Sequence, residues 1–217
     1  MSLMMISPEG YIESEIKGKS KEEILRKIRG LKQDIGRLRN QIENGSIEDI
    51  VIEPSPETQL MCVREYLRRA ILEYEAAGGE YHMSNKEKKV AAFDEDLKKI
   101  VSVTFEYGGF FSGTECRKVY FDGNTIKTER EFYNGAFDNG EELFLHIDKD
   151  GFLEDFGSIH IGEWKHSYYD PDILDGTQWH LTIEYVDGRK REYGGSNAFP
   201  YNFGRLLEVM EMEECAL

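Results

Sequence analysis

Six apolar residues in step, Ile24, Ile28, Leu31, Ile35, Leu38 and Ile42, constrain this chain more than any other feature. Their separations of 4, 3, 4, 3 and 4 are those of an α-helix that meets a partner along a narrow seam. Isoleucine holds the three a positions, and isoleucine or leucine holds d. Lysine and arginine crowd the flanks, so the helix packs against one other helix rather than into a broad core. Ser20 and Glu23 form a capping box, each satisfying a backbone N–H that the first turn leaves without a partner, and Asn44-Gly45 supplies the stop.

The partner follows a linker, GSIEDIVIEPSPE, whose two prolines prevent one helix from running through it. From Glu57 to Ala77, the residues Leu60, Val63, Leu67, Ala70, Tyr74 and Ala77 again step by 3 and 4, and Gly78-Gly79 ends the run. Two arrangements fit. One is an antiparallel hairpin within the chain; the other pairs the first helix with its twin in a second copy, which the isoleucine-at-a, leucine-at-d pattern favours. Fewer than three heptads are marginal on their own, so the hairpin is the expected arrangement, with self-association through its outer face left open.

After Ser84 the period changes. A short helix carrying Val90, Phe93 and Leu97 gives way to alternation in IVSVTFEY, where Val101, Val103, Phe105 and Tyr107 share a face. CRKVYF and TIKTEREFY, joined by Asp122-Gly123-Asn124, read as a hairpin. Leu143, Leu145 and Ile147 alternate before a short helix bearing Phe152, Leu153 and Phe156. WHLTIEYV then sets Trp179, Leu181, Ile183 and Tyr185 on one face, Asp187-Gly188 reads as a two-residue turn, and RKREY returns. A last helix with Phe203, Leu206, Leu207 and Met210 covers the sheet. The expected fold is α+β, a mainly antiparallel sheet with covering helices, behind an N-terminal antiparallel helical hairpin. The expected boundaries are 14–80 for the hairpin and 81–217 for the α+β domain.

The segments AGGEY (Ala77–Tyr81), GGFFSG (Gly108–Gly113), LDGTQWHLTIEYVDGRK (Leu174–Lys190) and GSNAFPYNF (Gly195–Phe203), in that order, resemble a family of uncharacterised bacterial proteins. The resemblance spans roughly Glu57 to Met212, and its last two motifs are the most specific. It implies a recurring domain and brings no activity, cofactor or catalytic residue with it.

Charge divides the chain in two. Of its 217 residues, 27 are basic and 42 acidic, a net charge of −15. Ile16 to Ile42 holds nine basic and three acidic residues, so that segment carries +6 and leaves the rest at −21. An acidic body repels phosphate backbones, which argues against a nucleic-acid partner, and the basic segment suits pairing with the acidic body, with another copy or with an acidic ligand, so the expected partner is the chain itself or another protein. No run of about 18 apolar residues suggests a membrane span, and the apolar stretch Leu3–Ile6 is too short for a signal-peptide core. Three widely spaced cysteines, Cys62, Cys116 and Cys215, suggest reduced thiols rather than a disulfide framework, so the expected compartment is the cytoplasm.

Motifs for chemistry are weak throughout. His146, His160, His166 and His180 lack close ligand spacing, and no metal or cofactor is expected. DKDGFLED (Asp148–Asp155) fails as a calcium loop, since placing Gly151 sixth puts Gly157 where a bidentate glutamate is required; Asp148 reads instead as a helix cap. There is no GxSxG elbow or phosphate-binding GxxxxGK[ST], GGFFSG reads as a strand-to-strand turn, and no catalytic residue is assigned.

One region invites a ligand reading. In YGGSNAFPYNF, turn geometry accounts for Gly194 and Gly195 at positive φ, Asn197 in the same conformation, and Pro200 in a first helical turn. That leaves Ser196, Asn197 and Asn202 at a helix N-terminus, where free N–H groups favour an anion. Trp164, Tyr168, Asp175 and Trp179 add aromatic faces and a carboxylate to this candidate ligand set. The structural alternative packs Trp164 and Tyr168 as one helical face and buries Trp179 in the core. The expected function is a non-catalytic protein-interaction protein that self-associates; the alternative is a small-ligand or hydrolytic domain with its pocket at this loop.

Overall fold

The structure, a computed structural model, describes residues 6–44, 54–109, 113–133, 144, 146, 148–173 and 176–212. The chain divides into two compact units, Met1–Met83 and Ser84–Leu217.

The first unit is helical. Ser7 caps a single turn, α1 (Pro8–Tyr11), which widens into a π-helical turn over Ile12–Ile16. Helix α2 (Lys21–Asn44) begins at the capping box expected from the sequence: Ser20 N donates to Glu23 Oε2 at 2.9 Å, and Glu23 N donates to Ser20 Oγ at 3.3 Å. Helix α3 (Pro56–Ala76) starts at a Ser55 cap with proline at N1 and stops at Gly78, whose φ is +79°. Lys21 Nζ donates to the Gly78 carbonyl at 3.4 Å, so the start of α2 lies beside the end of α3 and the pair runs antiparallel. Ile24, Ile28, Leu31 and Leu38 are buried against this partner, as are Leu60, Val63 and Ala70 of α3. Burial of each large aliphatic among them contributes about 1.5–3 kcal/mol. Leu67 and Tyr74 of the expected seam are only half-buried and Ala77 is exposed, whereas Tyr66 is buried on a second face of α3. The segment before α2 covers that face: Tyr11 stacks on Tyr66 at 4.3 Å, and Glu9 pairs with Arg69 at 2.7 Å.

The second unit is α+β. Helix α4 (Asn85–Asp96) opens on a Ser84–Glu87 capping box. Strands β1 (Ile100–Gly109), β2 (Gly113–Asp122), β3 (Thr125–Tyr133), β4 (Ser167–Tyr169), β5 (Thr177–Tyr185) and β6 (Lys190–Ser196) form one sheet in the order β3-β2-β1-β5-β6-β4. Every neighbouring pair is antiparallel except β4 with β6, which is parallel. Helices α5 (Lys149–Ser158) and α6 (Phe203–Met210) contribute Phe152, Phe156, Leu206 and Met210 to the core built on the sheet by Val103, Phe105, Val119, Leu181 and Ile183. Among the described residues, no helix is long and apolar enough to cross a membrane.

Several local details differ from the sequence reading. The register of β1 against β5 shifts between Ile100 and Ser102, so Ile100 is buried and Val101 only half-buried. The β5–β6 loop has three residues, Val186 to Gly188, rather than two. Gly188 N donates to the Tyr185 carbonyl at 2.9 Å and Tyr185 N to the Arg189 carbonyl at 3.0 Å, with Gly188 at φ +81°, which is the three-residue turn with a glycine bulge. Leu143, Leu145 and Ile147 lie outside the described residues, as do 110–112 of the GGFFSG segment, although Gly109 and Gly113 pair across it. Asp148 caps α5, its carboxylate accepting from Gly151 N at 2.9 Å.

Candidate functional site

The YGGSNAFPYNF segment is built differently from its sequence reading. Gly194 and Gly195 do not leave the strand; they pair within β6, with β5 on one side and β4 on the other. What requires glycine at 195 is space. A Cβ there would stand 2.2 Å from Trp179 Nε1 and 2.6 Å from the Ala198 carbonyl oxygen. Asn197 does take positive φ, +55°, and its side chain donates to the Ile173 carbonyl at 3.2 Å. Pro200 precedes α6 by a full turn, and Phe203 N donates back to its carbonyl at 3.0 Å.

The aromatic residues converge here, but as a packed nest. Trp164 follows a short 3₁₀ turn in extended conformation and Tyr168 lies in β4, so they share no helical face. The Trp164 and Trp179 rings meet edge to face at 5.8 Å, Tyr168 lies 5.8 Å from Trp179, and Phe203 is 5.2 Å away. All four are at least nine-tenths buried. Their polar atoms are satisfied locally. Trp179 Nε1 donates to the Ala198 carbonyl at 2.9 Å and Trp164 Nε1 to Asn202 Oδ1 at 2.8 Å. Asn202 Nδ2 in turn donates to the Ile159 carbonyl, and Tyr168 Oη accepts from Lys165 N at 3.1 Å. Ser196 Oγ accepts from Gln178 Nε2 at 2.7 Å. Asp175 lies outside the described residues. Of the candidate set, then, Trp164, Tyr168, Trp179 and Asn202 are brought into one cluster, while Ser196 and Asn197 fasten the loop beside it. The arrangement locks the β5–β6 hairpin to α6.

Open space is found in the helical unit. A cleft of about 430 Å³ is lined by Tyr11, Tyr66, Gly30, Leu31, Arg26 and Asp34, among others. The stacked Tyr11 and Tyr66 rings give it an aromatic wall, and Tyr66 Oη is committed to the Ile6 carbonyl. Burial, with help from the Glu15 and Asp34 carboxylates, pushes the Tyr11 hydroxyl up to about 12, so it remains a neutral hydrogen-bonding group. Gly30 presents no side chain to α2's surface, and a Cβ there would meet nothing within 4 Å. Lys27 pairs with Glu15 at 2.5 Å and holds that carboxyl below its ordinary value, and Arg37 pairs with Asp34 at 3.3 Å. Arg26 Nε donates to the Glu22 carbonyl at 3.4 Å, and Arg26 makes no ion pair among the described residues. Beside the cleft, a depression of about 300 Å³ is lined by Lys19, Glu23, Arg26 and Lys27.

Ile6 and Tyr11 of the cleft lie before residue 14, where the expected hairpin begins, so the cleft is not apparent from those boundaries. Two signals were present: Ser7-Pro8, a cap followed by proline at N1, and the Ile12/Ile16 pair four residues apart. Among the described residues, no group of three or more His, Cys, Asp and Glu side chains is placed to hold a metal ion. Compared with models of protein families, with curated proteins and with solved structures, the chain matches none.

Proposed function

We propose that this protein is a non-catalytic interaction protein that associates with itself, its basic Ile16–Ile42 segment receiving acidic surface from a second copy. The observation that carries this reading is the cleft beside Arg26 and Lys19, on a helix of net positive charge, in a chain whose overall charge is −15. Opposed charge on two faces of one molecule steers copies together and fixes their register. The aromatic nest supports a structural role for the GSNAFP loop, since its indoles and amides are bonded to one another and to backbone. Cys62 and Cys116, both free thiols, support the reducing cytoplasm as its compartment.

Sedimentation equilibrium at tens of micromolar protein tests the reading. The expected result is an associated species, most simply a dimer, that strengthens as salt is lowered, because screening weakens contacts between exposed charges. A monomer at both high and low salt removes the proposal.

A further inference from the structure

The cleft has a defined chemistry: an aromatic wall, a missing side chain at Gly30, and Arg26, which it shares with the adjoining depression lined also by Lys19, Lys27 and Glu23. What it fits is a bulky aromatic side chain with a carboxylate close behind. The second unit displays such a group. At the end of the edge strand β4, Tyr169 is 68% exposed and Ile173 is 45% exposed, with Asp170, Pro171 and Asp172 between them. This knuckle is held in shape. Asp170 N donates to the Ser196 carbonyl at 3.0 Å, and Asp172 N donates to Asp170 Oδ1 at 3.0 Å, so the turn is fastened to β6 before any partner arrives. A tyrosine whose backbone is already held at a fastened turn loses less chain freedom on binding, and buried tyrosines serve as interface anchors.

We propose that the cleft of one copy receives the Tyr169–Ile173 knuckle of a second copy, with Tyr169 entering beside Tyr11 and Leu31, and Asp172 meeting Arg26 and Lys19. The inference rests on self-association and adds the two surfaces that carry it. Volume agrees, since about 430 Å³ lies within the range of pockets that take one compact group. Charge agrees as well: the knuckle brings two carboxylates and no cation. The acids lining the cleft and the depression are each bonded locally, Glu15 to Lys27, Asp34 to Arg37 and Glu23 to the Ser20 N–H, which blunts their repulsion of an incoming aspartate. Two such contacts related by a twofold axis close a dimer.

Four variants of the full chain, measured by sedimentation equilibrium at about 50 mM salt where charge contacts are strong, test the docking. Arg26→Glu and Asp172→Lys are substitutions of exposed side chains, and each should weaken association by at least about tenfold. Tyr169→Ser should do the same. Gly30→Leu should block the cleft while raising thermal stability, because glycine within a helix is unfavourable; loss of association there cannot be ascribed to unfolding. An equimolar mixture of Arg26→Glu and Asp172→Lys should recover association, since one contact in the mixed dimer is wild type and the other pairs the two reversed charges. Only a contact between copies gives that recovery. If the wild-type chain associates but none of the variants weakens it, or if the mixture stays dissociated, the docking is wrong while self-association stands. A monomeric wild-type chain overturns both.

Discussion

At Trp179 the indole N–H reaches the Ala198 carbonyl at 2.9 Å while the ring meets Phe203, Trp164 and Tyr168, so one side chain ties β5 to the GSN loop, to β4 and to α6. Removing it opens a large cavity and strips three aromatic neighbours of one of their packing contacts. Trp179→Ala should therefore cost on the order of 3–5 kcal/mol, read by chemical denaturation. A cost below about 1 kcal/mol would contradict the core assignment. Spacing puts Phe203 on the covering face of the last helix with Leu206, Leu207 and Met210, but does not say which of the four meets Trp179. Nor does it give the reason for Gly195. Sequence alone suggests positive φ at such a glycine, and only the tertiary approach of the Trp179 ring shows that the missing Cβ is what matters.

Elements set by local repetition were legible, and elements set by distant partners were not. The α2 seam, the Ser20 capping box and the alternation of β5 each follow from residues within a few positions of one another. Strand β4 does not: three residues gain strand geometry only through parallel pairing with β6, which no periodicity over Ser167–Tyr169 could announce. The β5–β6 hairpin was legible as a hairpin, but its loop length was set by the Gly188 bulge. That hairpin is also fastened by charge. Asp96, at the end of α4, accepts from Arg189 at 2.8 Å and Lys99 at 2.7 Å, with Arg191 at 3.4 Å. The Arg189 guanidinium, then Lys99, holds the Asp96 carboxyl far below its ordinary value near 3.8. A lowered folded-state value means that the carboxylate stabilises the fold fully at pH above about 4, and that this contribution fades as pH falls toward the folded-state value. Comparing wild type with Asp96→Asn by denaturation across pH 2–7 should show a gap in stability near neutrality that narrows below about pH 4. A gap of constant size would mean that the carboxylate's charge plays no part.

For the molecule as a whole, each unit carries its own apolar interior. Among the described residues, the hydrophobic cluster that runs from Phe93 to Met212 draws none from Met1–Met83. Its buried charges are also answered from inside the unit. Arg117, 3% exposed on the core face of β2, faces Glu115 at 3.3 Å and Glu211 at 3.8 Å, and Arg130 reaches the same Glu115 at 2.8 Å. A buried cation whose carboxylates came from elsewhere would leave the unit unstable alone, because losing one partner of a buried pair costs about 3–5 kcal/mol. With its apolar core and these carboxylate partners of Arg117 in the one unit, the fragment Ser84–Leu217 should fold by itself, showing sheet-rich circular dichroism and a single cooperative thermal transition. It retains the Tyr169–Ile173 knuckle and lacks the cleft. It should therefore stay monomeric at concentrations where the full chain associates, and at low salt it should compete with that association when added in excess. A fragment that dimerised as strongly as the full chain would place the self-association surface in the α+β unit and dispense with the basic helix.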